Sequence, residues 1–218
     1  MDQFNIIYGG ADMSNKTVKQ LKKERMERFD KAVKLEKPDQ TPLFLSGDAF
    51  FMKYAEPSAK MSDLTLRPKW AGEKALEGVL KLNAIDVFIG PVGGYAGGGG
   101  FMFLSKMKMP GRELPEDAYY QFDEVGLMTV DDYDFIIDKG WNAFTKAYMD
   151  NRVKPDPADL ELTKEVAEHM APKNQEAGLN IITGAFSAMI YDAVSTARGM
   201  NNFFKDLHRI PDKVQAAF

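Results

Sequence analysis

The chain has 218 residues, of which 44% are hydrophobic and 28% charged, and its formal net charge is −4. This mild negative balance is typical of a globular protein and argues against a general binder of nucleic acid or of anionic membranes. The chain has no cysteine, which excludes disulfides, a thiolate nucleophile and any zinc site built with cysteine. No apolar run approaches the ~18 residues needed to span a bilayer, and the amino terminus lacks a signal-peptide pattern, so we expect a cytoplasmic protein.

The first 40 residues are predicted to be a helical lead-in. Residues 1–13 have the pattern of a loosely held tail or small hairpin. A helix is predicted from Asn15 to about Lys37, because Ser14 is a suitable N-cap and apolar residues recur on one face among charged ones. Pro38 should end this helix, since proline cannot continue it.

Three short apolar segments, at about 42–46, 85–90 and 180–184, are predicted to be strands, and the second of them is predicted to be buried. A helix from about Pro68 to Lys81 separates the first two, which is the βαβ pattern of a mostly parallel sheet. We therefore predict an α/β fold.

Further helices are predicted in the second half of the chain. Thr129 should cap one, with Asp132 in the capping-box position and an apolar stripe from Tyr133 to Tyr148. Asp156-Pro157 should open the next as N-cap and first residue, and this helix either ends near Met170 or is kinked by Pro172. The remaining predicted helices run from Met189 to Arg198, from Asn201 to Arg209, and onward from Pro211.

The segment after the second strand contains seven glycines in the eleven residues from Gly90 to Gly100. It is not a P-loop, because Phe101-Met102-Phe103 follows where a Lys-Ser/Thr pair and a helix are required, and the dinucleotide spacing is also absent. A mobile or tightly turned loop explains the glycines as well as a ligand site does.

Several short motifs are notable for their order and spacing: Glu24-Arg25 to Pro38-Asp39 leading into Thr41-Pro42-Leu43-Phe44, Pro110-Gly111-Arg112-Glu113-Leu114-Pro115, Met128-Thr129 to Tyr133-Asp134, and Arg198-Gly199 with Asp206-Leu207 and Pro211. In these motifs, and over nearly all of its length, the chain resembles the uroporphyrinogen decarboxylase superfamily of eight-stranded (β/α) barrels. This resemblance implies the N-terminal part of a TIM barrel, because three strands cannot close one. Residues 1–218 should thus form a single domain that either continues in a longer chain or is completed by an assembly or homo-oligomer.

The superfamily includes tetrapyrrole decarboxylases and corrinoid-linked methyltransferases, and the departures favour the second group. The decarboxylases hold substrate carboxylates with two arginines after the first strand, where this chain has Gly47 and Phe51. They also carry an aspartate after the second strand, where this chain has Gly90-Pro91-Val92. The resemblance therefore implies a methyltransferase or demethylase that acts on a small methylated substrate, with a corrinoid protein as partner. A tetrapyrrole decarboxylase and a non-catalytic binding or assembly domain are the alternatives.

We expect no metal or cofactor bound by these residues themselves, although the complete enzyme could use zinc. The family's zinc ligands would lie in the part of the barrel that follows. Within the chain, His169 and His208 are predicted to be surface or helix-end residues, since neither has a ligand partner one helical turn away.

Candidate site residues lie where ligands bind in α/β folds, after the carboxyl ends of the strands. Asp48 is the candidate catalytic residue, as an acid/base or a hydrogen-bond acceptor, and the alternative is that it only caps a turn. Arg112 could anchor an anionic group or could instead pair with Glu113 or Glu116. The other candidates for substrate binding are Ser46, Gly93, Gly94, Tyr95 as a stacking wall, Tyr119 and Tyr120.

Overall fold

The fold contains a three-stranded parallel sheet. The computed structural model describes residues 16–95, 97, 103–123, 126–182 and 190–218. The sheet order is β1-β2-β5, with β1 at Phe44–Leu45, β2 at Val87–Ile89 and β5 at Ile181–Ile182. Within the described ranges the sheet is not closed into a barrel. The protein is thus mixed α/β and mostly helical, as the sequence predicts for its class.

Ten α-helices, a π-helical turn and an antiparallel hairpin surround or follow the sheet in the described ranges. The helices are α1 Val18–Val33, α2 Asp48–Ala55, α3 Asp63–Leu66, α4 Pro68–Leu82, α5 Asp131–Lys139, α6 Trp141–Tyr148, α7 Pro157–Glu176, α8 Ile190–Arg198, α9 Met200–Arg209 and α10 Pro211–Ala217. The π-helical turn is Met149–Val153, and the hairpin strands are β3 Lys106–Lys108 and β4 Gln121–Asp123. No helix among these is long and apolar enough to cross a membrane.

The three parallel strands are neighbours in chain order. Phe44 is level with Val87, and Phe88 is level with Ile181. α2, α3 and α4 connect β1 to β2, and the hairpin and α5 to α7 lie between β2 and β5. Consecutive parallel strands joined by helical crossovers are the repeating unit of both barrels and open α/β sheets.

Helix α1 is fastened to the amino ends of the strands. Thr17 caps it with a complete capping box. Arg28 bonds to the carboxylate of Asp86, which is 2% exposed, precedes β2 and also accepts the Leu43 amide at 2.7 Å. A buried carboxylate requires partners, so this pair holds α1 against the sheet. The amino ends of the strands are therefore used for packing. The Asn180 side-chain amide adds a bond to the Lys22 carbonyl at 3.0 Å.

The first hydrophobic core lies between the sheet and helices α2, α4 and α7. Phe51 of α2 is 1% exposed and packs edge-on against Phe88 of β2, with ring centroids 6.3 Å apart. Gly78 of α4 allows α2 to approach closely, since a Cβ there would overlap the Phe51 carbonyl. The aromatic contact and the close helix pair fix the position of the segment that follows β1.

A second core joins α5 and α6 to α8, α9 and α10. Its centre contains Tyr133 and Phe203, both fully buried. The Tyr133 hydroxyl donates to Asp206 at 3.2 Å, and Arg198 donates to the same carboxylate at 2.6 Å. The side chains of Tyr133, Arg198 and Asp206 are therefore all hydrogen-bonded, as polar side chains in an apolar core usually are.

Several predicted elements differ from the structure in their bounds. The predicted helix through Tyr148 is broken at Gly140, whose φ of 82° ends α5 and starts α6 at a new angle. α7 begins at the predicted Asp156 cap but runs through Pro172 to Glu176. α1 ends at Val33, before Pro38. α2 and the hairpin were not predicted from the sequence, and the predicted tail 1–13 lies outside the described residues.

Candidate functional site

Asp48 connects the ends of two neighbouring strands. It is the first residue of α2 and lies just beyond the carboxyl end of β1. Its Oδ1 accepts a hydrogen bond from the Gly93 amide and its Oδ2 accepts one from the Gly94 amide, each at 3.1 Å. Gly93 follows β2 and has a φ of +83°, a conformation that favours glycine. Three predicted site residues are therefore in direct contact at the carboxyl edge of the sheet.

The environment of Asp48 alters its acidity. Burial raises the pKa of the Asp48 carboxyl, since the charged form loses hydration, and the amides of Gly94 and Gly93 partly oppose that shift. Its place in the first turn of α2 gives the carboxylate a favourable interaction with the helix dipole. Because both oxygens hold backbone amides, the residue is placed to position the loop from Gly90 to Tyr95.

The same loop is held from its other side by α7. The Asn174 side-chain oxygen accepts the Val92 amide at 3.1 Å, and its Nδ2 donates to the Val92 carbonyl at 2.9 Å. Asn174 is 2% exposed, so these bonds lie in the core. The chain direction after β2 is thus fixed by two side chains, one from α2 and one from α7.

Tyr95 and Arg112 both bond to the carboxylate of Asp159. The Tyr95 hydroxyl donates to Asp159 Oδ1 at 2.7 Å, and Arg112 Nη1 donates to the same oxygen at 2.8 Å. Arg112 also lies 3.4 Å from Glu113. The arginine is therefore paired within the chain with Glu113, one of the two predicted alternatives, and with Asp159, which the sequence analysis did not name.

These contacts alter the acidities of both groups. Burial, followed by the hydrogen bond to Asp159, raises the pKa of Tyr95 to about 12. Burial acts to lower the pKa of Arg112, but the hydrogen bond and charge of Asp159 outweigh it and the net direction is upward. Tyr95 is 7% exposed and its ring belongs to the first core. The two side chains hold the loop to the hairpin turn and to α7.

The remaining candidates lie apart from these contacts. Ser46 is exposed two residues before Asp48. Tyr119 and Tyr120 are 71% and 46% exposed in the segment before β4. That segment packs on the start of α3, where the Ser62 amide donates to the Glu116 carbonyl at 2.7 Å. Of the glycine-rich loop, residues 96 and 98–102 lie outside the described ranges.

Two of the residues that fix the site were not identified from the sequence. Asp159 and Asn174 belong to α7, 64 and 82 residues away from their partners Tyr95 and Val92. The only local signal was the Asp156-Pro157 start of α7, which correctly predicted the helix. It carries no information on which loop the helix contacts.

The side chains in the described ranges do not form a metal site. No group of three or more His, Asp or Glu residues converges there in a way that could hold an ion. His169 instead lies 2.8 Å from Glu73 on the surface between α7 and α4. We therefore assign no zinc ligand to these residues and derive no chemical step through zinc.

Comparison of the chain with protein families, with curated proteins and with solved structures found no match in any of the three.

Proposed function

We propose that this chain forms the first three βα units of a barrel of the uroporphyrinogen decarboxylase type and acts in methyl transfer. A small methylated substrate lies over the carboxyl ends of β1 and β2, and a corrinoid protein takes up the methyl group. The observation that carries the proposal is the contact between Asp48 and the amides of Gly93 and Gly94. In barrels, the loops after the strands build the active site, and this contact sets two such loops against one another.

Asp48 acts in this proposal as a positioning residue. Its oxygens, each 3.1 Å from a loop amide, hold the segment after β2 in one arrangement above the strand ends. A misplaced substrate-binding loop costs rate even when the reacting groups are intact. The corrinoid supplies the methyl acceptor, and the residues of this chain bind and orient the donor.

The surroundings of Phe51 favour methyl transfer over decarboxylation. Phe51 stands where the decarboxylases have an arginine, and its side chain is buried against Phe88 on the helix side of the sheet. Gly47, in the other arginine place, has no side chain. Arg112 is already paired with Asp159. A polyanionic porphyrinogen would therefore lack the bidentate arginine contacts that recognise carboxylates.

The test is an anaerobic assay of the purified chain with cob(I)alamin in place of the corrinoid protein. Methanol, methylamines, methanethiol and methoxylated aromatic acids are offered as methyl donors, and formation of methylcobalamin is followed by absorbance. We expect saturable transfer from one donor class. Asp48→Asn should lower the rate, while Asp138→Asn, on the exposed side of α5, should not. Transfer from none of the donors, or stepwise decarboxylation of uroporphyrinogen at an enzymatic rate, would contradict the proposal.

An assembly function is the second candidate, and the edge strand favours it. Leu43, Phe44 and Leu45 are 37%, 48% and 40% exposed, and β1 has β2 as its one strand partner in the described part of the chain. Exposed apolar edges are sites of association. A chain that associates through β1 but transfers no methyl group would support this candidate.

A further inference from the structure

A cavity of about 240 Å³ lies between the hairpin and the start of α7. It is bounded by Gly97, by β3 and the Arg112 turn, by the π-helical turn Met149–Val153, and by the first residues of α7. Ligand pockets usually measure ~300–1,000 Å³, so this one suits a small molecule. It is separate from the contact between Asp48 and the Gly93-Gly94 amides.

The acidic side chains of the cavity are already engaged. Four basic and four acidic side chains line it. Asp123 pairs with Lys108 at 3.1 Å, and Asp159 pairs with Arg112 at 2.8 Å. The other two acidic side chains hold backbone amides at 2.8–2.9 Å: Glu113 binds that of Met109, and Asp156 binds that of Ala158.

Lys106 and Lys154 are the basic lining residues that remain. Neither forms an ion pair with any carboxylate in the described ranges. Lys154 has a left-handed backbone with φ 50°, and its amide donates to Met149 at 2.8 Å. A left-handed lysine after a π-helical turn is a costly local arrangement, and such arrangements concentrate at functional sites. The lining side chains are formally neutral in sum, and these two ammonium groups are the cations without an ion-pair partner in the described ranges.

The cavity is also lined by apolar side chains. Met149, Val153 and Leu160 line the cavity together with Met107. A bare inorganic anion would leave these side chains unused, whereas a hydrocarbon group would bury them. Two ammonium groups without an ion-pair partner in the described part of the chain, beside apolar side chains, suit an anion with a hydrocarbon body.

We propose that this cavity binds a small organic carboxylate. The carboxylate lies between the ammonium groups of Lys106 and Lys154, and its hydrocarbon part contacts Met149, Val153 and Leu160. The proposal does not depend on methyl transfer, because it concerns a different set of residues. It adds a carboxylate ligand site next to the loop that carries Tyr95.

Methionine methyl NMR on the full chain tests the site directly. Protein labelled with ¹³C at the methionine methyl groups is titrated with butyrate at ~20 mM ionic strength, where electrostatic attraction is little screened. The signals of Met107 and Met149, assigned with Met107→Leu and Met149→Leu, report from the cavity, and that of Met200 on α9 reports from elsewhere. We expect saturable shifts at Met107 and Met149 with butyrate, and none with the neutral isostere butyramide.

Variants distinguish the effect of the two cavity lysines on butyrate affinity from the effect of overall surface charge. Lys106→Gln with Lys154→Gln should weaken butyrate binding roughly tenfold for each lysine removed. Lys34→Gln with Lys205→Gln removes two exposed lysines elsewhere and should leave the affinity unchanged. Leu160→Trp, at a position that is 45% exposed, should fill the cavity and abolish binding without disturbing the core.

Four outcomes would overturn the proposal: no saturable shift with butyrate, equal shifts with butyramide, stronger binding of inorganic phosphate than of butyrate, or equal weakening by the two lysine pairs. Circular dichroism of every variant verifies that lost binding is not lost folding. Methyl transfer measured on the same Lys106→Gln, Lys154→Gln protein keeps the two proposals distinguishable.

Discussion

At the scale of single residues, Asp48 carries two opposed effects. Burial of its carboxyl disfavours the charge, and two backbone amides favour it. The raised pKa shows that burial is the larger of these effects. The structural role of the Asp48 carboxylate is to connect the segment after β1 to the segment after β2.

Asp48→Asn should destabilise the protein by about 1 kcal/mol. The amide side chain keeps one acceptor but turns a donor toward the other loop amide. A fully buried group left unsatisfied costs ~1–3 kcal/mol, and water can reach the exposed Gly94. Removing a poorly hydrated charge offsets part of that loss, which places the expected value at the lower end. Urea unfolding, with Asp138→Asn as the matched control, measures the difference. A variant as stable as the wild type would show that the two bonds do not fasten the loop.

Tyr95 should make stability depend on alkaline pH. Its pKa is about 12 in the folded protein, against ~10 in an unfolded chain. Between these values the unfolded chain has lost the tyrosine proton and the folded protein keeps it, so stability falls as pH rises from about 10 to 12. Below pH 10 the contribution is fully present.

Tyr95→Phe removes this ionisation and should flatten that part of the pH profile. Chemical unfolding at pH 9, 10 and 11 measures the slope for both proteins. Absorbance of tyrosinate near 295 nm should also lose one late-titrating residue in the variant. An unchanged slope would mean that the Tyr95 hydroxyl is not held by Asp159 in solution. Tyr119→Phe, at an exposed position, is the control.

At the scale of elements, apolar runs predicted the strands and periodic stripes predicted most helices. β1, β2 and β5 lie inside the predicted segments because continuous runs such as Val87–Ile89 are typical of buried parallel strands. α4 begins at the predicted Pro68 and α7 directly after the predicted Asp156 cap. Local signals of this kind act within one element, and they are therefore readable from one sequence.

The hairpin and α2 were missed for different reasons. Lys106–Lys108 and Gln121–Asp123 each place one apolar residue between two polar ones, which is the alternation of a half-exposed strand but only three residues long. α2 begins at the last residue of a Ser-Gly-Asp sequence that also suits a turn, and its contact with α4 is not visible in the local sequence. The glycine-broken pair α5 and α6 had one continuous apolar stripe, which concealed the break at Gly140.

The contacts among the candidate residues were only partly predictable from the sequence. The rule that ligand sites follow parallel strands brought Asp48, Gly93 and Gly94 into one cluster, as found. The partners Asp159 and Asn174 come from a distant helix, and no local pattern encodes which loop a helix contacts. Long-range pairing is a property of the packed molecule.

Gly78→Ala should be strongly destabilising despite the better helix propensity of alanine. The new Cβ would lie 2.8 Å from the Phe51 carbonyl carbon and still closer to its oxygen. Backbone cannot yield as a flexible side chain can, so overpacking should cost ~1–3 kcal/mol or more. That exceeds the ~1 kcal/mol gained by replacing glycine in a helix.

Thermal and urea unfolding of Gly78→Ala measure the net effect. Gly94→Ala is the control, since nothing lies within 4 Å of the Cβ position at Gly94. We expect the control to change stability little. A Gly78→Ala protein with wild-type stability would show that α2 and α4 are farther apart in solution.

At the scale of the whole molecule, two cores are unequally covered. The core of α5, α6 and α8 to α10 is formed by helices that pack on several sides. The sheet, by contrast, has exposed apolar side chains: Val87 and Phe88 of β2 are buried, but Phe44 of β1 and Ile89 of β2 are 48% and 52% exposed. Apolar strand residues this exposed favour association with further strands.

We expect the purified 1–218 chain to associate through β1, and Phe44→Lys to reduce that association. A charged side chain on an exposed edge opposes strand pairing, and lysine is the usual residue for this purpose in natural sheets. Sedimentation and light scattering over a wide concentration range measure the mass of both proteins. Phe204→Lys, at a position 53% exposed on α9, is the matched control and should associate like the wild type. A wild-type chain that is monomeric and unfolds cooperatively at every concentration would contradict the predicted association. It would also contradict the proposed partial barrel, because the three-stranded sheet would then be stable without further strands.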